Sequence, residues 1–329
     1  MKLKNYISLI RFKRLFFLLI FLFLSCVEHT FSIKISPDGH YLVKYGAHGD
    51  KEDLLDLDVP LPSGYGWIIN STINDVEAES YDYNAYKQFD KNDLFPQNFY
   101  DGDSIYLESL IKHPTKINFY NLFFLKTYSY KSIIESRDVK NRYPLIEDLI
   151  LNPEEPPSGW YKEALMYILF QTIDLVNIDW NNRPIIENEL KNWKINELDT
   201  VSDSVLIDQY EYYKNIGLDI IMQPSSPDLY NDMDSIFKSL EDELNITLDL
   251  IDDTFLFQLT MPGIIEETNA DSISNDTLFW SFALEDYMSK DFEMFANSKI
   301  NYSQRQKVGL VVLLGILFIL LRFKFRNNI

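Results

Sequence analysis

A single cysteine, Cys26, stands in 329 residues, so no disulfide can form within the chain and no cysteine-based zinc site exists. Histidine is almost as scarce. His29, His40, His48 and His113 all fall in the first part of the chain and show no metal-ligand spacing. No Gly-x-Ser-x-Gly elbow, phosphate loop or dinucleotide fingerprint is present, so no common catalytic signature applies. Basic residues are also few, 30 against 50 acids, for a formal net charge of −20. They are unevenly placed. Lys2, Lys4, Arg11, Lys13 and Arg14 precede Cys26, and Arg322, Lys324 and Arg326 close the chain. The long stretch between them is more acidic than the total implies. Such a surface repels phosphate backbones at long range, which argues against nucleic acid as a partner.

What the chain does have is apolar and aromatic content, at 46% and 15%. That is enough for a sizeable core and is unlike a disordered composition. Two runs lie at the ends. Leu15 to Leu24 is a ten-residue apolar run behind a basic segment. As a helix it reaches only about 15 Å, which suits a signal-peptide core better than a membrane span. Ser25-Cys26 follows and predicts a lipobox, with Cys26 lipidated after cleavage. An ordinary cleaved signal and an uncleaved anchor are the alternatives. Phe23 and Leu24 stand where smaller or aliphatic residues are more usual.

The second run, Val308 to Leu321, contains no polar side chain. It reaches about 21 Å as a helix, and Phe323, Phe325 and the snorkelling Lys307 and Arg322 extend it. A buried core helix would show a polar face. This run shows none, so it predicts a membrane span. The basic tail beyond it is expected in the cytoplasm by the positive-inside rule, with the main domain outside.

Between the ends, the pattern predicts an α+β chain. Its organisation reads as signal peptide 1–25, the first half of a β-rich domain 26–142, a helical insertion 143–245, the second half 246–307, a membrane helix 308–323 and a tail 324–329. Strands are expected at Phe31–Ile35 and Tyr41–Lys44 around a Ser36-Pro37-Asp38-Gly39 turn. One or two more are expected in Thr115–Ile134. Pro144, Pro153, Pro156 and Pro157 mark a linker. Helices follow at 160–176, 185–193 and 205–222. Ser226-Pro227-Asp228 then starts another, with Met233, Ile236, Phe237, Leu240 and Leu244 on one stripe. Thr247–Leu259 reads as a return to strand.

The acidic pairs Asp101/Asp103, Asp232/Asp234 and Asp252/Asp253 invite a metal reading but fit no calcium loop, and a solvated face accounts for them. Neither a metal nor a cofactor is implied. The aromatic cluster in 115–134 is more suggestive. On a strand, alternate rings face opposite sides. Phe119, Phe123 and Tyr128 are therefore candidates for a ligand groove, against the plainer reading that they fill a core.

Three segments taken together resemble the LppM-type bacterial envelope lipoproteins: Ile33-Lys34-Ile35-Ser36-Pro37-Asp38, Leu259-Thr260-Met261-Pro262-Gly263, and Thr268-Asn269-Ala270-Asp271 followed by Trp280. The resemblance covers roughly 15–45 and 246–323 and leaves out the helical block. It implies an envelope protein whose domain touches lipids, and it carries no catalytic set. By their residue types, Asn269 and Asp271 suit a turn bonding its own backbone, and Trp280 a core anchor. The expectation is a non-enzymatic binding module at a bacterial cell membrane, with the lipid bilayer and a lipid or glycolipid ligand as partners. The alternative is an interaction protein whose acidic helical block docks another envelope protein.

Overall fold

A computed structural model describes residues 27–326 apart from 52, 56–58, 60, 74–79, 92, 94–114, 154, 177, 179, 180 and 224–229. The expected leader with Cys26, the Asp101/Asp103 pair and the expected helix start at Ser226-Pro227-Asp228 lie outside the described residues.

The chain is α+β, with two sheets. β1 (Glu28–Ile35) and β2 (Tyr41–Gly49) form a hairpin. Its turn closes with Gly39 at φ +97°, a backbone conformation that favours glycine. β3 (Ile68–Ser71) and β4 (Tyr81–Phe89) extend that sheet on one side. On the other side β1 pairs in parallel with β7 (Thr254–Thr260), which comes from far along the chain. β10 (Thr277–Phe282) and β9 (Ser272–Ser274) complete seven strands. The second sheet runs β5 (Thr115–Leu122), β6 (Leu125–Ile134), β11 (Phe292–Asn301), β8 (Ile264–Thr268), all antiparallel.

Alternation builds the core between the sheets. In β1, His29, Phe31, Ile33 and Ile35 are buried while their neighbours face out. Tyr128, Tyr130 and Ile134 of β6 and Met294 and Ala296 of β11 supply the facing layer. The two layers meet where the Tyr130 ring lies 5.8 Å from Phe257, which in turn stands edge-on to Trp280 at 6.0 Å.

Between β6 and β7 comes the helical block: α1 (Val139–Arg142), α2 (Pro144–Leu151), α3 (Trp160–Leu175), α4 (Arg183–Asn196), α5 (Asp203–Asp208), α6 (Tyr210–Met222) and α7 (Tyr230–Asp249). α3 is the central helix, with Ala164, Leu165, Ile168, Leu169 and Ile173 all buried. α6 crosses it so closely that a Cβ on Gly217 would lie 2.6 Å from Leu169. Burying each such aliphatic side chain contributes about 1.5–3 kcal/mol.

Two expectations are corrected here. Pro144 is not linker but the first residue of α2, where its missing N–H costs nothing. The strand expected from Thr247 begins only at Thr254, because α7 runs on to Asp249. Its stripe continues through Leu244, Ile246 and Leu250, all buried, and the Thr247 hydroxyl donates to the Glu243 carbonyl one turn back at 2.9 Å.

After a short α8 (Leu284–Tyr287), β11 leads into α9 (Ser303–Arg326) with only Tyr302 between them. Its 24 residues rise about 36 Å, against roughly 30 Å of hydrocarbon. The segment Ser303–Leu320 is 0% buried and, by length and composition, could cross a membrane. Val308 is exposed, and Leu321 lies within the same helix.

Several tyrosines are deeply placed. Burial pushes the phenols of Tyr130, Tyr143 and Tyr210 far up, helped by the Glu243 carboxylate beside Tyr143 and the Glu241 carboxylate beside Tyr210. In the unfolded chain these groups ionise near pH 10. The folded state keeps its protons longer, so their contribution is complete below about pH 10 and declines as the pH rises further. Melting followed by circular dichroism is expected to shift steeply downward above about pH 10. The absorbance of these buried phenolates should appear only together with unfolding. Reversible ionisation of every tyrosine near pH 10 with the fold intact would contradict this.

Candidate functional site

Of the three residues expected to line a groove, two are cross-strand neighbours and the third stands apart. Phe119 and Tyr128 face each other across β5 and β6. Tyr128 is buried at 1% exposure, and its hydroxyl donates to the Pro37 carbonyl at 2.7 Å. Phe119 is half-buried against the β1–β2 turn, where a Cβ on Gly39 would come within 3.0 Å of its ring. These contacts use both rings to tie one sheet to the other. Phe123 instead sits at the tip of the β5–β6 hairpin and is 64% exposed. Tyr120, Leu122 and Phe124 are exposed around it.

That tip meets the start of α9. The Tyr302 amide donates to the Phe124 carbonyl at 3.0 Å. The Arg305 guanidinium donates to the Phe123 carbonyl at 3.4 Å and lies 5.9 Å from the Phe123 ring and 4.3 Å from the Tyr302 ring. Tyr302 and Arg305 were not singled out from the sequence. A signal was available: 115–134 and 294–307, which meet here, hold no Asp or Glu in a chain with 50 of them.

Two buried polar clusters resemble catalytic groupings. His29 places Nδ1 2.9 Å from the Tyr45 hydroxyl and Nε2 3.3 Å from Asp253 Oδ2, and its ring stacks on Phe255 at 5.0 Å. Asp253 is thus a buried partner, not part of a solvated face, while Asp232 and Asp234 are exposed on α7. Arg137 donates to Glu243 Oε1 at 3.0 Å, to the Glu243 carbonyl at 3.1 Å and to Thr247 at 2.8 Å. Arg142 and Tyr143 reach the same carboxylate at 2.5 and 3.3 Å. The first cluster is enclosed by the core, the second is buried except for Arg142, and the groups in each pair with one another. No group of three or more potential metal ligands occurs among the described residues.

The outer face of the large sheet carries a polar groove of about 470 Å³. Glu28, Thr30 and Ser32 of β1, Lys44 and His48 of β2, Asp82 and Asn84 of β4 and Gln258 of β7 line it. Strand alternation puts them there, opposite the buried side chains. His48 Nδ1 lies 2.8 Å from Asp82 Oδ1. The lining offers donors and acceptors side by side, as neutral hydroxyl-rich groups require.

Asn269 is the residue whose role departs most from a local turn. Its Oδ1 accepts from the Trp280 indole at 3.1 Å and from the Phe295 amide at 2.9 Å, and its Nδ2 donates to the Glu293 carbonyl at 2.6 Å. Asp271 accepts from the Ser281 amide at 2.8 Å. These bonds reach across strands of both sheets. Trp280 is buried at 1% exposure.

No family model matches the sequence, and no curated protein does. Among solved structures, the folded domain of LppM from Mycobacterium tuberculosis, determined by NMR, matches 85% of this chain and 93% of its own, at 10% identity and a TM-score of 0.30. At that score the likeness is a weak structural resemblance.

Proposed function

We propose that this chain is a membrane-tethered, extracytoplasmic binding module with no catalytic activity of its own, and that it takes the polar portion of a lipid or glycolipid of the same membrane. The observation that carries this is the join of β11 to α9 through Tyr302 alone. An exposed apolar helix with no spacer keeps the folded domain at the bilayer surface, within reach of headgroups. The polar groove on β1, β2 and β4 supports a ligand rich in hydroxyls. The pairing of buried His29 with Asp253 and of buried Arg137 with Glu243 supports binding over catalysis. Lipidation of Cys26 would add a second tether at the other end of the chain.

Membrane fractionation with alkaline extraction tests the tether. The Cys26→Ser chain is expected to stay with the membrane, and the same chain ended after Tyr302 to leave it. A soluble full-length Cys26→Ser protein would refute the C-terminal span. Native mass spectrometry of the chain ended after Tyr302 tests the ligand. A specific stoichiometric lipid, lost on Asn84→Asp or Lys44→Glu, is expected; an empty protein would sink the lipid reading.

A further inference from the structure

We infer that the tip of the β5–β6 hairpin is a second membrane contact, inserted into the headgroup–acyl boundary beside α9. This rests on reading α9 as a membrane span. Four observations converge on it.

The first is exposure. Leu122, Phe123 and Phe124 are 54%, 64% and 45% exposed at a two-residue turn. Soluble surfaces rarely present three consecutive large apolar side chains. The second is placement. The tip is held against Tyr302 and Arg305 by two backbone-directed hydrogen bonds. Val308, the first residue of the apolar run, lies three residues beyond Arg305, a rise of about 4.5 Å. A helix entering the hydrocarbon at Val308 therefore brings the tip to the interface. Amphipathic elements bury their apolar faces there by about 5–10 Å.

The third is chemistry. Tyr302 and Arg305 form the aromatic and basic flank usual at a membrane surface. Ile264, 66% exposed, faces Lys299 of β11 near the same end of the small sheet, and adds an apolar side chain from the β7–β8 turn. The fourth is charge. Lys126, Arg305 and Lys307 stand at this end, and the segments 115–134 and 294–307 are free of acids although the chain carries −20 overall. The rest of the acidic surface is repelled by anionic lipid more strongly than this end, where Glu266 is paired with Lys299. Two fixed points, the helix and the hairpin, set the domain's orientation where the helix alone would let it pivot.

The experiment uses full-length protein in vesicles of phosphatidylcholine and phosphatidylglycerol. In a Cys26→Ser background, one nitroxide is placed in turn at Phe123→Cys, Leu122→Cys, Leu314→Cys in α9 and Asn188→Cys on the exposed side of α4. Oxygen and a water-soluble nickel chelate then report depth by power saturation. The labels at 122 and 123 are expected about 5–10 Å below the phosphates. The label at 314 should lie deep in the hydrocarbon, and the one at 188 in water. Adding Phe124→Asp should move the 122 label toward water. Labels at 122 and 123 as accessible to nickel as 188, with 314 buried, would overturn the hairpin contact and leave the span intact. An aqueous label at 314 would overturn the span itself. Dipolar broadening between tip labels on two chains would show the tip covered by a second copy, which also overturns the proposal.

Discussion

Glu243→Ala is expected to destabilise the protein by about 3–5 kcal/mol, because it breaks a buried ion pair by removing one partner. Arg137 has a side-chain exposure of 7%, and it would keep its charge while losing the carboxylate 3.0 Å from its guanidinium. Arg142 and the Tyr143 hydroxyl lose the same acceptor. The carboxylate is the point at which the start of the helical block is fastened to α7, so the loss should be felt locally as well. For a domain of this size a kcal/mol corresponds to roughly 2–4 °C. The melting temperature should therefore fall by roughly 10 °C, with amide exchange in 139–151 accelerating most. Glu243→Gln keeps acceptor atoms and should cost less. Arg137→Met added to Glu243→Ala should recover part of the loss, since it removes a buried charge that has lost the Glu243 carboxylate. A drop of under about 2 °C for Glu243→Ala would show that water reaches Arg137 freely.

Gly263→Ala should be comparably severe for a different reason. Gly263 has φ +90°, which alone costs an L-residue about 1–2 kcal/mol. In addition its Cβ would stand 2.2 Å from the Lys299 carbonyl oxygen and 2.8 Å from the Ile300 side chain. A backbone oxygen cannot rotate away, so β8 must lift from β11. A total of about 3 kcal/mol or more is expected. Gly159→Ala supplies the control. Gly159 has φ +87°, but among the described residues, its chain neighbours and its own helix's backbone aside, no atom lies within 4 Å of its Cβ position. It should lose only the conformational part. Equal melting temperatures for the two variants would rule out the steric account.

Much of the framework could be read from periodicity. The β1–β2 hairpin showed in its turn residues, the helical block in its stripes, and α9 in an apolar run without a polar face. The failures share a cause. Ile246, Thr247 and Leu248 are β-branched or apolar enough to suggest a strand, yet a buried helical stripe continues through Leu250 and overrides that propensity. Pro144 breaks helices in their interior but begins one at its first turn. Asn269 and Asp271 have the side chains of a local turn, and nothing short-range shows that their partners are Trp280, Glu293, Phe295 and Ser281. The polar clusters were least accessible. His29 and Asp253 are 224 positions apart, and Arg137 and Glu243 are 106 apart. Phe119, Phe123 and Tyr128 lie close together in the sequence. Which ring faces the core, which the turn of the other sheet and which the outside depends on register, and register is a property of the assembled sheet.

The parallel pairing of Glu28 with Thr254 and its neighbours has a consequence for how the protein is made. As the chain emerges, β1 can zip to β2 at once, but its other edge stays open until β7 arrives. Throughout that interval the edge offers unpaired backbone groups to any passing strand. Long-range pairing of this kind folds slowly and exposes the nascent chain to aggregation. The strands that close the sheet, β7 and β10, lie just ahead of α9 in the chain. Completion of the sheet and emergence of the apolar helix therefore fall at almost the same moment of synthesis, so a product stopped before β7 would be left as an open-edged intermediate without α9.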